Sequence, residues 1–220
     1  MLSADHGVGP VPVHAVTLGL PARRNPLGPL ADLSKRMEAH LQKQFGAPPG
    51  KLTYVDKLET SQVYLHEEAV GKSAERFRTL QESARDFLRG LPGVAVAVTR
   101  AELQSKDEIT IVLDESWKSL LAPGTTMEQA LRRSFSAEHS GDVLFALLPY
   151  QAQSSLRTTH GSPWRYDTHV PLLLLGHGVR NGSFDRPVSP AAIAPSIALV
   201  LGIDPPAKNE ELPAREALIR

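Results

Sequence analysis

Cysteine is absent from the 220 residues. Its absence excludes disulfides and thiolate metal sites, and leaves His, Asp and Glu as the strong ligands for a transition metal. An excess of one charge is also lacking: 24 Lys and Arg stand against 24 Asp and Glu, and neither sign gathers into a block of five or six. That removes the electrostatic case for nucleic acid or an anionic membrane surface and makes a small molecule the default substrate. Long apolar runs are missing too. Runs such as Val170 to Leu175 are far short of the roughly 20 residues that span a bilayer, and the amino end shows neither the basic region nor the apolar stretch of an export signal. Aromatics are few: Tyr54, Tyr64, Tyr150, Trp117 and Trp164 have no basic stripe beside them and read as packing residues rather than stacking platforms. What is present is globular in composition, with 41% apolar residues, enough for a core.

Three textures follow one another. Residues 1 to 29 contain Gly9-Pro10, Val11-Pro12, Leu20-Pro21 and Asn25-Pro26, which read as an irregular strap following a strand end. From 30 to 126 the pattern predicts a small β-β-α-β unit preceded by a helix. Leu33, Met37, Leu41 and Phe45 form one stripe of a helix that Gly46 ends. Leu52 to Val55 and Gln62 to Leu65 read as short strands. Ser73 caps a helix with Phe77, Leu80, Ala84, Phe87 and Leu88 on one face and Gly90 left-handed at its end, and Gly93 to Thr99 follows as a strand. Ile109 to Leu113 has the composition of another short strand. This region is expected to be a cap or insertion. From 127 to 220 the rhythm changes to helix Met127 to Phe135, a doubly covered strand at Asp142 to Leu148, a second at Val170 to Leu175, and a helix opened by Ser189-Pro190 with Ile193, Ile197 and Leu201 in register. Buried strands alternating with helices predict an α/β sheet with parallel pairs.

The chemistry concentrates in two places. Ser3-Ala4-Asp5-His6-Gly7 sets a carboxylate beside an imidazole. Neighbours on a strand point to opposite faces, so Asp5 and His6 converge on one ion only where the strand ends and the backbone turns, as Gly7 permits. Thr159-His160-Gly161-Ser162-Pro163 places a second histidine in a loop between two expected strands, at the rim where α/β sheets bind ligands. Asp167 and His169 read as residues that fix this loop by hydrogen bonds, while His14, His40, His66, His139 and His177 have no partner at a useful spacing and read as structural.

Taken in order, Ser3 to Gly7, Ser140-Gly141-Asp142-Val143-Leu144, Thr159 to Pro163, Tyr166-Asp167-Thr168-His169-Val170-Pro171-Leu172, and Ile193-Ala194-Pro195-Ser196 before Leu201-Gly202-Ile203-Asp204 resemble the carboxyl-terminal portion of the alkaline phosphatase superfamily. Within it, the resemblance is to the phosphate-irrepressible alkaline phosphatases related to nucleotide pyrophosphatase/phosphodiesterases. It implies the carboxyl-terminal part of an α/β/α sandwich with a β-β-α-β cap insertion, and a small phosphate-ester substrate. It also implies two zinc ions and a Thr or Ser nucleophile that becomes phosphorylated. By motif, Asp5 and His6 match two ligands of the ion that activates the nucleophile, and His160 one ligand of the other. The remaining ligands and the nucleophile precede the Asp-His-Gly motif in that family, so the expectation is a fragment, inactive alone, whose partner is the missing amino-terminal portion of the same protein. Family members are periplasmic or secreted. Diesterase and sulfatase chemistry of the same superfamily, and a non-catalytic binding module, are the alternatives.

Overall fold

A computed structural model describes residues 1–154, 158–205 and 212–219. The chain divides into two compact units, one of Val8–Thr168 and one of Met1–Gly7 with His169–Arg220.

The larger unit opens in the expected strap, which is more regular than its composition suggests. Pro12 supplies the first turn of helix α1 (Pro12–Thr17), as its fixed φ favours, and β1 (Arg23–Arg24) pairs in parallel with β6 (Gln151–Ala152). Helix α2 (Leu30–Phe45) buries Leu33, Met37 and Leu41, and ends at Gly46 with φ 82°. Strands β2 (Val55–Leu58) and β3 (Gln62–Leu65) form an antiparallel hairpin. The first of these starts at Val55, where residues 52–55 were expected. Glu38 of α2 accepts hydrogen bonds from the Tyr54 and Val55 N–H groups at 2.9 Å, which occupies the backbone just ahead of the strand.

Helix α3 (Ala74–Arg89) is capped by Ser73, whose hydroxyl accepts from the Arg76 N–H. Gly90 keeps right-handed geometry at φ −77°, contrary to the expected left-handed end. The chain turns instead through a Leu91 N–H bond to Leu88 O and a left-handed Gly93. Strand β4 (Val94–Thr99) leads into α4 (Arg100–Gln104) through a Thr99/Glu102 capping box. No strand forms at 109–113 among the described residues; Ile109 and Leu113 are buried there in irregular chain. Then come α5 (Glu115–Lys118), α6 (Met127–Ser134), β5 (Val143–Leu147), β6 and α7 (Arg165–Thr168).

The central sheet has the order β2-β3-β5-β4, with every neighbouring pair antiparallel. Among the described residues, the parallel pairing expected of these strands is confined to the two-residue β1/β6 ladder. Strand β5 is covered on both faces, as its apolar run implies. Val143 and Phe145 pack with α2 and α3, while Leu144 and Ala146 pack with Met127, Leu131 and Trp164. A strand assigned by sequence to a separate region beyond residue 126 is therefore a central strand of the sheet built from residues 55–99. The division into compact units falls at 7/8 and 168/169, and β5 belongs to the larger unit, paired with both β3 and β4.

Gly141 makes this insertion possible. A Cβ there would lie 2.6 Å from Val63 O, a backbone atom with nowhere to move, and the Gly141 N–H donates to Gln62 Oε1 at 2.6 Å. Gly141→Ala is expected to destabilise the chain by about 2 kcal/mol through forced separation of β3 and β5. An unchanged urea midpoint would contradict this.

The smaller unit contains α8 (Ile193–Leu201), preceded by a 3₁₀ turn at Pro190–Ala192 that Ser189 caps and followed by a left-handed Gly202 at φ 67°. Ser196 ties the helix down by donating to Ala192 O at 2.6 Å and accepting from the Ala214 N–H at 2.9 Å. The buried side of α8 is Pro195, Ser196 and Ala198; the expected stripe is half-buried at Ile193 and exposed at Ile197 and Leu201. Val170 to Leu175 forms a single antiparallel bridge, Leu173 to Leu2, and none of its residues is buried, where a covered strand was expected. The sequence carries the signature of a core strand, but among the described residues only Leu2 pairs with it.

Candidate functional site

Asp5 and His6 lie just past the Leu2–Leu173 bridge, in which each residue's N–H donates to the other's carbonyl at 2.8 Å. The backbone turns there: the His6 N–H donates to Asp5 Oδ1 at 3.1 Å, which holds the carboxylate over its neighbour. His6 Nδ1 lies 2.6 Å from Gly7 O. A carbonyl only accepts, so Nδ1 carries the proton and the lone pair is on Nε2. That nitrogen is 3.7 Å from Asp5 Oδ2. Two zinc ligands at about 2.0–2.1 Å and a tetrahedral angle stand about 3.4 Å apart, so the pair fits two neighbouring corners of one coordination sphere. The backbone bond on the far ring nitrogen is the kind that orients metal-ligating histidines. Catalytic zinc ordinarily takes three protein ligands, and among the described residues no group of three His, Asp or Glu is assembled for a metal.

His160 is exposed, in the loop of the larger unit that runs from β6 to α7. The loop is pinned at several points. Gly161 takes a left-handed φ of 91°, which a Cβ would strain. Buried Asp167 accepts from both the Ser162 N–H, at 2.8 Å, and the Ser162 hydroxyl, at 2.5 Å. Trp164 is fully buried and its indole N–H donates to Leu147 O at 3.0 Å. Upstream, the Gly9 N–H donates to Thr159 O at 3.1 Å and the Thr158 hydroxyl donates to Gly9 O. Asp167 thus has the loop-fixing role read from its position, whereas His169 is exposed.

Tyr150 reads from the sequence as a packing residue and Tyr166 belongs to the Tyr166–Leu172 motif, but nothing in the sequence pairs the two rings or sets Gly9 against them. Tyr166 stacks on Tyr150 with ring centroids 5.4 Å apart, and its hydroxyl accepts from the Tyr150 N–H at 3.0 Å; burial pushes that hydroxyl's pKa up. Tyr150 itself holds φ 64°, a conformation that costs about 1 kcal/mol or more in a bulky residue. Gly9 packs against the Tyr166 ring, where a Cβ would come within 3.4 Å. The Gly9-Pro10 pair was the available clue. These groups line a cavity of about 20 Å³, room for one water molecule, so it braces the loop rather than admitting an organic ligand.

No family model matches the chain. Against curated proteins it is 27% identical over 224 residues to alkaline phosphatase PafA of Elizabethkingia meningoseptica, covering 100% of this chain and 36% of the relative. It is 28% identical over 214 residues to alkaline phosphatase PhoK of a Sphingomonas species, covering 94% and 35%. The resemblance to the alkaline phosphatase superfamily holds along the chain. The crystal structure of wild-type alkaline phosphatase PafA superposes with a TM-score of 0.77 at 22% identity, over 99% of this chain and 38% of that one, which establishes a partial alkaline phosphatase fold. The chain spans about a third of the length of the alkaline phosphatases it matches.

Proposed function

We propose that the chain is part of a zinc-dependent phosphoric ester hydrolase, an alkaline-phosphatase-like phosphomonoesterase, in which Asp5 and His6 hold one ion and His160 contributes to a second. The observation that carries this reading is the Asp5–His6 geometry: an imidazole oriented through Nδ1 toward a backbone carbonyl, with Nε2 facing a carboxylate, in a chain aligned with alkaline phosphatases over its whole length. Bound zinc in such a centre supplies positive charge against the phosphate and lowers the pKa of an attacking hydroxyl. Asp5 brings the negative charge that favours a divalent cation. Gly7 O selects the His6 tautomer, and the Ser162–Asp167 and Trp164–Leu147 bonds hold the His160 loop in one arrangement. The Thr or Ser nucleophile of the phospho-enzyme mechanism and the further ligands are assigned to the part of the fold outside these residues. The substrate is a small phosphate ester, and the location is the periplasm or the exterior.

Two measurements test this. The purified 220-residue chain is expected to show no turnover of an aryl phosphate with zinc present; metal-dependent turnover abolished by His160→Ala would overturn the division of labour proposed here. Calorimetry is expected to give weak zinc binding that His6→Ala removes. Tight stoichiometric binding, or binding indifferent to His6, would refute the ligand assignment.

A further inference from the structure

The chain contains three asparagines, and the residue after each one sorts them. A backbone nitrogen can attack the side-chain amide carbon of the asparagine before it when that nitrogen is unbonded and no Cβ crowds its approach. Asn25 precedes Pro26, which has no N–H to give up. Asn209 precedes Glu210, whose Cβ stands beside its own nitrogen, and lies outside the described residues. Asn181 precedes Gly182, so here the steric condition is met.

The local structure meets the other condition. Asn181 stands one residue past the last backbone tie of this segment, where the Arg180 N–H donates to Ala217 O at 3.0 Å beside the Val179–Leu218 bridge. Residues 181–187 are all exposed, and among the described residues none of 181–188 takes part in a backbone–backbone hydrogen bond. Neither the Gly182 N–H nor the Asn181 side-chain amide has a hydrogen-bond partner among the described residues. The loop is tied further on, by Arg186, whose Nε donates to the Glu216 carboxylate at 2.8 and 2.7 Å. Gly182 itself takes a φ of 152°, and the nearest atom to the place of its missing Cβ is Cζ of the Phe184 ring at 3.5 Å. A segment with so few backbone restraints samples many conformations at little cost, including the one that brings the Gly182 nitrogen onto Asn181 Cγ.

We infer that Asn181 is a self-modifying site, at which the chain converts its own side-chain amide to a carboxylate with water as the co-reactant. Hydroxide takes the Gly182 N–H proton, the nitrogen bonds to Asn181 Cγ, and the Cγ–Nδ2 bond breaks, so that the amide nitrogen leaves as ammonia and a cyclic imide remains. Water then adds to one of the two imide carbonyls. Addition at Cγ breaks the new bond and leaves aspartate in an ordinary main chain. Addition at the main-chain carbonyl breaks the old peptide bond and leaves isoaspartate, with the main chain running through the side chain and longer by one methylene. No oxidant or reductant enters. Either product adds one negative charge to a chain whose 24 basic and 24 acidic residues balance, next to Arg180 in sequence and in the loop that Arg186 ties to Glu216. This site is independent of the metal assignment above.

The test is to hold the purified full chain, folded, in mildly alkaline buffer and follow ammonia release, isoelectric focusing and isoaspartate content, with peptide mapping to place the change. The expected result is loss of one ammonia per chain, mapped to Asn181, with a more acidic band and a mixture of aspartate and isoaspartate. Its rate should rise in proportion to hydroxide and stay within about threefold of the rate in the same chain unfolded in urea, because the folded loop imposes little restraint. Asn181→Gln, which would have to close a larger ring, is expected to remove the reaction while leaving the urea midpoint unchanged, since the side chain is exposed and unbonded. Gly182→Ala is expected to slow it about tenfold, the effect of roughly 1.4 kcal/mol on the barrier. Folding that slows the reaction more than about tenfold, release that maps to Asn209 instead, or release undiminished in Asn181→Gln would each overturn the inference.

Discussion

Replacing Trp164 with alanine is expected to lower the unfolding free energy by about 4 kcal/mol, more than any other single truncation in the loop region. The indole is fully buried and fills the space between the sheet face of Val96, Val98 and Leu144 and the helix residues Met127 and Leu131. Its N–H satisfies Leu147 O, and its backbone bridges to Leu121. Alanine leaves a cavity and a buried carbonyl without its donor, and the two costs add. At about 2–4 °C per kcal/mol for a chain of this size, the midpoint should fall by about 12 °C in a circular dichroism melt. Trp164→Phe keeps most of the ring volume and loses the hydrogen bond, so a loss of about 1–2 kcal/mol is expected. A Trp164→Ala protein within 1 kcal/mol of the parent would show that the His160 loop is not anchored through this side chain.

Asp142→Ala is expected to cost about 3 kcal/mol. The carboxylate is buried where β5 begins. It accepts from the Leu65 N–H at 2.8 Å and from Gln81 at 3.3 Å, and lies 3.4 Å from Arg100 Nε. Removing it strands a buried N–H and a buried amide and takes the counter-charge from Arg100, whose guanidinium keeps its bonds to Ala137 O and Ser140 O. Burial raises the Asp142 pKa above its usual 3.8, a push that outweighs the Leu65 N–H, Arg100 and Gln81, all of which lower it. The native state then holds a proton that the unfolded chain has released. Stability contributed by this group is complete below about pH 3.8 and declines as pH rises through the raised native value. In Asp142→Asn that decline should vanish, so the difference between the two proteins' stability–pH curves isolates it. A difference curve that rises with pH in the acid range would reverse the assigned sign.

Much of the larger unit was legible because its signals are local. Leu33, Met37 and Leu41 fall four residues apart and are all fully buried; Ser73 caps as its type suggests; the run at 143–147 is covered on both faces as continuous apolar strands are. Failures came where the answer depends on neighbours remote in sequence. Nothing in Val143–Leu147 says that its partners are antiparallel, and nothing in Val170–Leu175 says which strand would cover it. Gly90 has the residue type of a left-handed cap, yet the turn through Leu91 and Gly93 takes that role.

The candidate site divides in the same way. Adjacency made Asp5 and His6 visible, and the glycine after them signalled the turn, but the tautomer depends on where Gly7 O points. Asp167 was legible as a loop-fixing residue from its place beside the motif. The brace of Gly9, Tyr150 and Tyr166 was not, since it joins residues about 150 positions apart through a backbone carbonyl and a stacked ring pair.

The strand order of the central sheet also dictates a schedule. Strand β5 is the last of the four to be synthesised, yet it lies between β3 and β4, and its bond from Asp142 to Leu65 spans 77 residues. At roughly 5–20 residues per second on a ribosome, the β2-β3 hairpin waits about 4–15 s for the strand that completes it. Throughout that interval its inner edge is open and its apolar face is covered only by α2 and α3. Translation pauses or crowding between residues 65 and 147 should therefore govern the yield of soluble protein more strongly than native stability does.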